Sequence, residues 1–195
     1  MKKTFLIILV LISNFAFAQF DLKNPTAISV NGGFFLPYSS EVFKSGVSIG
    51  ADIQHKLNPI HIYLSLMYNS SSRKTSEPNE FYENTSGTSI TEVTGGGRMY
   101  IGYNDLKYVL DFGIGFYLEK KGSYNIKQNG VTTNYPSENN TTFGGNFGAG
   151  LEYPLNSDFD VVGKIKYHLY FGVGNDPFIN PYFTLTAGIK YNIKL

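Results

Sequence analysis

From Tyr182 to Leu195 the chain alternates without a break. Phe183, Leu185, Ala187, Ile189, Tyr191, Ile193 and Leu195 fall on one side of an extended backbone, and Tyr182, Thr184, Thr186, Gly188, Lys190, Asn192 and Lys194 fall on the other. A period of two held for about fourteen residues outlasts the usual globular strand of roughly 5–6. One face is apolar and the other polar throughout, so the segment must lie between an apolar and a polar environment.

Seven earlier segments repeat the pattern, at about 26–36, 44–55, 60–68, 92–103, 108–118, 143–153 and 159–171. The fifth is the clearest of them: Tyr108, Leu110, Phe112, Ile114, Phe116 and Leu118 alternate with Val109, Asp111, Gly113, Gly115, Tyr117 and Glu119. The fourth is the weakest, with Val93, Met99, Ile101 and Tyr103 interrupted by Gly95-Gly96-Gly97, a run that suggests a bulge or a bend.

The first eighteen residues stand apart. Lys2 and Lys3 precede an apolar run from Phe5 to Ile12, and Ala16-Phe17-Ala18 has the small-x-small form that a signal peptidase cleaves. The run is too short for a membrane-spanning helix, which needs ~20 residues. The expected organisation is a signal peptide over 1–18 and one domain over 19–195. Loss of Lys2 and Lys3 leaves 14 basic against 15 acidic residues, which gives no electrostatic case for nucleic acid. No cysteine is present to accept a lipid.

Alternation alone does not say whether the apolar face points into a core or out into lipid. The connections do. Links after the second, fourth and sixth segments are short (56–59, 104–107 and 154–158), whereas those after the third and fifth are long and polar (69–91 and 120–142). The links at 37–43 and 172–180 are intermediate, so every longer link falls at one end. Aromatic residues gather at both strand ends: Tyr103, Tyr108, Tyr153, Phe159 and Tyr191 at the short-turn end, Phe34, Tyr68, Phe116, Phe143, Tyr167 and Phe183 at the other. Short periplasmic turns, long extracellular loops and two aromatic girdles characterise a transmembrane barrel. The fold expected is all-β: an eight-stranded antiparallel up-and-down barrel in the outer membrane. A soluble lipocalin-like carrier is the alternative, but such carriers end with a helix and keep the apolar face inside.

With its signal, alternating strands, loop asymmetry and terminal strand, the chain resembles the small outer-membrane β-barrel, or porin-like, protein family. The likeness spans the mature chain and rests on pattern, with no short invariant motif. It implies the lipid bilayer and the barrel assembly machinery as partners. The family's usual terminal aromatic is replaced by Leu195, leaving the assembly signal to Tyr191, Ile193 and Leu195 together.

An eight-stranded barrel has an interior that side chains fill. The inward set here carries Asp52, Arg98, Asp111, Glu119, Glu152, Asp160, Lys164, Lys166, Lys190 and Lys194, with inward glycines leaving room for Tyr63, Tyr100 and Tyr117. Closing the hairpin around 104–107 puts Arg98 diagonal to Asp111. A charge-paired plug follows, because an unpaired buried charge costs far more than a paired one.

Catalytic, cofactor and metal residues are not identified. His168, inward near the loop end, is the candidate for a lipid-modifying barrel enzyme, but no serine or carboxylate has a spacing that obliges a triad. It reads as one member of a lumen hydrogen-bond network. His55 and His61 lie toward the opposite end, so the histidines do not converge on a metal. Gly95-Gly96-Gly97 lacks the lysine of a phosphate loop.

Asn69, Asn84, Asn139 and Asn140 begin glycosylation-like triplets that read as solvated loop. Binding of an extracellular ligand or protein is expected in loops 69–91 and 120–142, the second built around an Asn129-Gly130 turn. These loops are expected to be solvated rather than to extend the strands as protruding hairpins. The role expected is structural or surface-interacting and non-enzymatic, with a narrow pore for small solutes as the alternative.

Overall fold

The computed structural model of the chain describes residues 25–37, 42–74, 76–77, 80–83, 85–102, 105–128, 130–171 and 179–193. The expected signal peptide lies outside these, as do Tyr103, Asn104, Lys194 and Leu195. Strands are numbered in chain order. Eight of them close a barrel: β1 (Thr26–Pro37), β2 (Gly46–Leu57), β3 (Ile60–Ser71), β6 (Thr88–Ile101), β7 (Lys107–Lys121), β10 (Glu138–Pro154), β11 (Phe159–Phe171) and β12 (Ile179–Ile193). Each pairs antiparallel with its neighbours, and β1 meets β12 to complete the ring. The remaining four, β4 (Ser76–Glu77), β5 (Glu80–Glu83), β8 (Tyr124–Gln128) and β9 (Val131–Tyr135), make a separate sheet in that order.

The period of two becomes an inside and an outside. Along β7 the residues Val109, Asp111, Gly113, Gly115, Tyr117 and Glu119 are buried while Tyr108, Leu110, Phe112, Ile114, Phe116 and Leu118 are exposed on the outer surface. Val30, Ile49, Leu66 and Leu185 continue this apolar exterior around the ring. In a bilayer that surface meets hydrocarbon, while strand closure leaves no unpaired edge in the barrel wall. On several neighbouring strands the girdle aromatics touch. Phe159 lies 5.2 Å from Tyr191 between ring centroids at the periplasmic end. At the extracellular end Phe116 contacts Phe143 at 5.9 Å and Tyr167 contacts Phe183 at 4.6 Å.

Two sequence expectations about local structure are corrected. The fourth barrel strand has no bulge, because β6 runs in unbroken register with β3 and β7 through Gly95, Gly96 and Gly97. These glycines answer close approach instead. A Cβ on Gly96 would stand 1.9 Å from the carbonyl oxygen of Phe112, and one on Gly97 would stand 2.3 Å from Cζ of Phe112, whose ring covers it.

The second correction concerns the long loops. β3, β6, β7 and β10 extend beyond the segments that alternation marked, reaching Ser71, Thr88, Lys121 and Glu138, and the chain between them forms β4, β5, β8 and β9. Asn69, read as loop, is fully buried in the barrel. The alternation stops being apolar where the strands leave the bilayer, so hydrophobicity no longer marks them although the pairing goes on.

Phe112 sits centrally on β7, 54% exposed to the bilayer. Phe112→Arg is expected to destabilise the barrel by ~2–4 kcal/mol, measured by denaturant unfolding in phospholipid vesicles. A spin label at position 112 should report lipid.

Candidate functional site

The lumen is filled from the walls inward. At its centre Arg98 of β6 faces Asp111 of β7 directly across the ladder rather than diagonally, because the connection is Gly102–Leu106 and not 104–107. Gly102, with φ +138°, takes a conformation that favours glycine. The guanidinium donates to both carboxylate oxygens of Asp111, Nε to Oδ1 at 2.6 Å and Nη2 to Oδ2 at 3.0 Å. It also reaches Asp52 of β2 at 3.3 Å and hydrogen-bonds Gln54.

Lys164 of β11 donates to Asp52 at 2.7 Å, and Lys166 lies 3.5 Å from Asp111. These lysines cross β10 over glycines. A Cβ on Gly148 would sit 2.6 Å from Cγ of Lys166, and one on Gly150 would sit 3.0 Å from Cγ of Lys164. Tyr63 of β3 packs beneath Arg98 and Lys166, with Arg98 Cζ 4.9 Å and Lys166 Nζ 5.0 Å from the ring centroid. Its hydroxyl donates to Asn146 at 3.1 Å, in space that Gly113 leaves open.

Toward the extracellular mouth the filling turns aromatic. Phe35, Tyr117, Tyr170 and Tyr182 are buried together with Ile90, and Tyr117 stacks on Tyr170 at 5.5 Å. Inside this stopper His168 lies parallel to Tyr182 at 4.3 Å, with Nδ1 2.9 Å from Glu92 Oε2 and Nε2 3.1 Å from Thr184 Oγ1. A carboxylate, an imidazole and a hydroxyl in line are the elements of a nucleophilic triad. Here all three are buried at 1% exposure or less, so the hydroxyl has no surface on which to receive a substrate. The expected lumen network for His168 is what the geometry contains. Glu92 is absent from the inward set read off the sequence; its parity with Arg98 was the signal that could have placed it there, and the closed barrel brings it to His168.

At the periplasmic end a vestibule of about 590 Å³ opens below the plug. Lys190 lies 2.7 Å from Asp160 and pairs with Glu152, which also accepts from the Tyr100 hydroxyl at 3.1 Å. His61 lines this vestibule, whereas His55 sits on the opposite side of β2's alternation with Nδ1 2.9 Å from Thr26 Oγ1. Among the described residues no group of three or more His, Cys, Asp or Glu is placed to hold a metal ion.

The two long extracellular segments meet in the sheet β4-β5-β8-β9. Arg73 joins it to the barrel: it bridges to Phe43, and its Cζ lies 4.9 Å from the Phe43 ring and 3.7 Å from the Tyr124 ring. Tyr124 stacks on Tyr135 at 4.7 Å. Gln128 pairs with Val131 across the expected two-residue turn, of which Gly130 is described and has φ +79°.

That register makes Val131, Thr133 and Tyr135 the residues hydrogen-bonded to β8, so Thr132 and Asn134 direct their backbone groups away from it. β9 has no partner on that side among the described residues. All five of its residues are exposed, and none is charged or proline, the devices that usually protect an edge. At the other edge β4 is only two residues long.

Comparison with known proteins agrees with this architecture. The family model described as "Outer membrane protein beta-barrel domain" matches residues 7–192. The chain belongs to that family. Among solved structures, Neisserial surface protein A is similar at TM-score 0.57 and 13% identity, over 87% of this chain and 97% of that one. A major outer membrane protein from Thermus thermophilus gives 0.59 at 10% identity, covering 87% and 99%. The attachment invasion locus protein Ail of Yersinia pestis gives 0.52 at 15%, covering 88% and 100%. No curated protein sequence matches the chain. Family membership places the protein in the outer membrane, and identities this low carry the fold alone.

Within this family barrel the Arg98 cluster is the test of the filled lumen. Arg98→Ala leaves Asp111 and Asp52 short of their central counter-charge and is expected to cost ~3–5 kcal/mol. Lys107→Ala removes only a half-exposed contact 3.9 Å from Glu152 and should cost less than about 1 kcal/mol. Urea titrations of the two variants in micelles would separate them.

Proposed function

We propose that this barrel is a non-enzymatic, non-conducting outer-membrane anchor that presents its extracellular sheet to a partner at the cell surface. The observation that carries the reading is β9: an exposed, uncharged strand edge with unpaired backbone groups at Thr132 and Asn134, held above a closed barrel. An extended segment of a partner protein can add to such an edge, drawing affinity from main-chain hydrogen bonds. The stacked Tyr124 and Tyr135 stiffen the hairpin, and the Arg73 sandwich ties it to the barrel. Ail, a barrel of the same fold at TM-score 0.53 and 13% identity, is solved in complex with the heparin analogue sucrose octasulfate.

The filled lumen argues against the pore reading, and the buried hydroxyl of Thr184 argues against an acyl-transferring enzyme. The expected outcomes differ for each. Planar-bilayer recordings of the wild type should show no stable openings of porin size. His168→Ala should lower barrel stability without abolishing any lipid turnover, since none is expected in the wild type.

Thr132→Pro tests the interaction itself. It removes an N–H that β8 does not use, so the hairpin should persist and the free edge should be blocked. A photo-crosslinker at Asn134 on intact cells should give protein adducts that disappear in the Thr132→Pro background. Adducts that survive this change, or their absence from wild-type cells, would overturn the edge as the docking element.

A further inference from the structure

The outward face of the barrel carries charge at one place. Among the described residues of its eight strands, Lys120 is the one lysine, arginine, aspartate or glutamate on the lipid side of the alternation. It is exposed at the extracellular end of β7, two residues beyond Leu118 and four beyond the girdle residue Phe116. A strand tilted by ~40° climbs roughly 2.5 Å per residue along the membrane normal, so Lys120 stands about 10 Å above Phe116, in the headgroup layer rather than in hydrocarbon.

Register sets its neighbours. Lys120 faces Ser89 on β6, and Ser89 faces Ser70 on β3, so one ammonium and two hydroxyls form a row across three strands. Side chains opposite one another in a sheet have Cβ atoms only ~5 Å apart, within the span of a single bound group. One row lower stand Tyr68, Thr91 and Leu118, and below them Leu66, Val93 and Phe116. Beyond the row the chain closes over: the Ser86 N–H donates to the Ser123 carbonyl at 2.9 Å, and the Gly122 N–H to the Gly87 carbonyl at 2.9 Å. Between lies a groove of about 390 Å³, lined by Tyr68, Ser70, Ser89 and Lys120 on the wall and by Ser86 and Ser123.

The protein offers this ammonium no counter-charge. Glu119 and Glu138 take the inward side of the alternation; the first accepts from Tyr170 at 3.0 Å and lies 3.9 Å from Lys121, and the second stands opposite Lys121. Lys120 itself enters no ion pair among the described residues. A cation at the edge of a low-dielectric layer draws a counter-ion, and at this depth the bilayer holds one in its lipid phosphates.

We infer that this groove seats the phosphate-bearing headgroup of an outer-leaflet lipid. The Lys120 ammonium and the hydroxyls of Ser70 and Ser89 donate to phosphate oxygens, and the acyl chains lie down the exposed column of Leu118, Phe116 and Ile114. Because the groove opens onto the apolar wall, a lipid is its ligand and a soluble phosphate is not. The seat lies on the barrel wall and does not depend on what the β9 edge binds.

The test is native mass spectrometry of the full mature chain released from maltoside micelles, which carry no phosphate, titrated with dioleoyl phosphatidic acid. A saturable first adduct is expected. Dioleoylglycerol, with the same chains and no phosphate, and glycerol 3-phosphate, with the phosphate and no chains, should give none at the concentrations that saturate the lipid. Lys120→Gln should weaken the first adduct roughly tenfold, the scale of one charge-assisted bond. Lys120→Arg should retain it, and Lys127→Gln, exposed on β8 outside the groove, should leave it unchanged.

Backbone amide resonances of Ser89 and Lys120 in the wild type give a readout that does not depend on the variants folding. They should shift with the first equivalent of phosphatidic acid and not with dioleoylglycerol. Absence of a saturable adduct, full affinity in Lys120→Gln, equal weakening by Lys127→Gln, or unshifted Ser89 and Lys120 would overturn the seat. Binding of glycerol 3-phosphate as tight as that of the lipid would overturn the lipid as its ligand.

Discussion

The pairing of β1 with β12 is the contact on which the rest of the structure depends. Inside a bilayer no water is available to the backbone, so a strand edge left open there would expose a row of unpaired N–H and C=O groups at several kcal/mol each. Thr26 to Pro37 meets Ile193 to Tyr182 residue for residue, and that single seam turns a sheet into a wall without edges. Closure also fixes which face is concave, and hence which half of each alternating strand meets lipid and which half meets the other strands.

Once closed, the ring has little freedom over its contents. Eight strands leave a lumen about as wide as its side chains are long, so polar residues on opposite walls must meet. Arg98 on β6 can therefore reach past β3 to Asp52 on β2, and Lys164 and Lys166 can cross β10 over Gly148 and Gly150. The interior sorts into layers: aromatic at the extracellular mouth, charge-paired at the centre, and cation-rich at the periplasmic end. Only the extracellular sheet escapes the constraint of closure. Standing in water, it keeps an open edge at β9 without the penalty that lipid would impose.

The glycines show how the two requirements are reconciled. A narrow barrel brings neighbouring backbones and opposing side chains closer than a Cβ on every residue would allow. At Gly113 a Cβ would stand 2.4 Å from the Tyr63 hydroxyl, and at Gly96 it would run into the next strand. The same residue type that weakens a strand in water makes a filled barrel of this width possible.

The sequence by itself determined the faces. Because side chains alternate strictly in any strand, Asp52, Asp111, Glu152, Lys164 and Lys190 were legible as inward and Phe112, Ile114 and Leu185 as outward without a partner strand in view. Loop lengths and aromatic placement determined the ends. What the tertiary structure alone decided is who meets whom. Moving the centre of the β6–β7 connection by one residue moves every partner by two, which is why Arg98 stands opposite Asp111 and not diagonal to it. The contacts of Glu92 with His168 and of Arg73 with Tyr124 join strands far apart in sequence, and no period in the chain encodes them. The extracellular strands were invisible for a related reason: above the bilayer the outer face no longer meets hydrocarbon, hydrophobic alternation disappears, and only the hydrogen-bonded register with the neighbouring strand records that the chain is still extended.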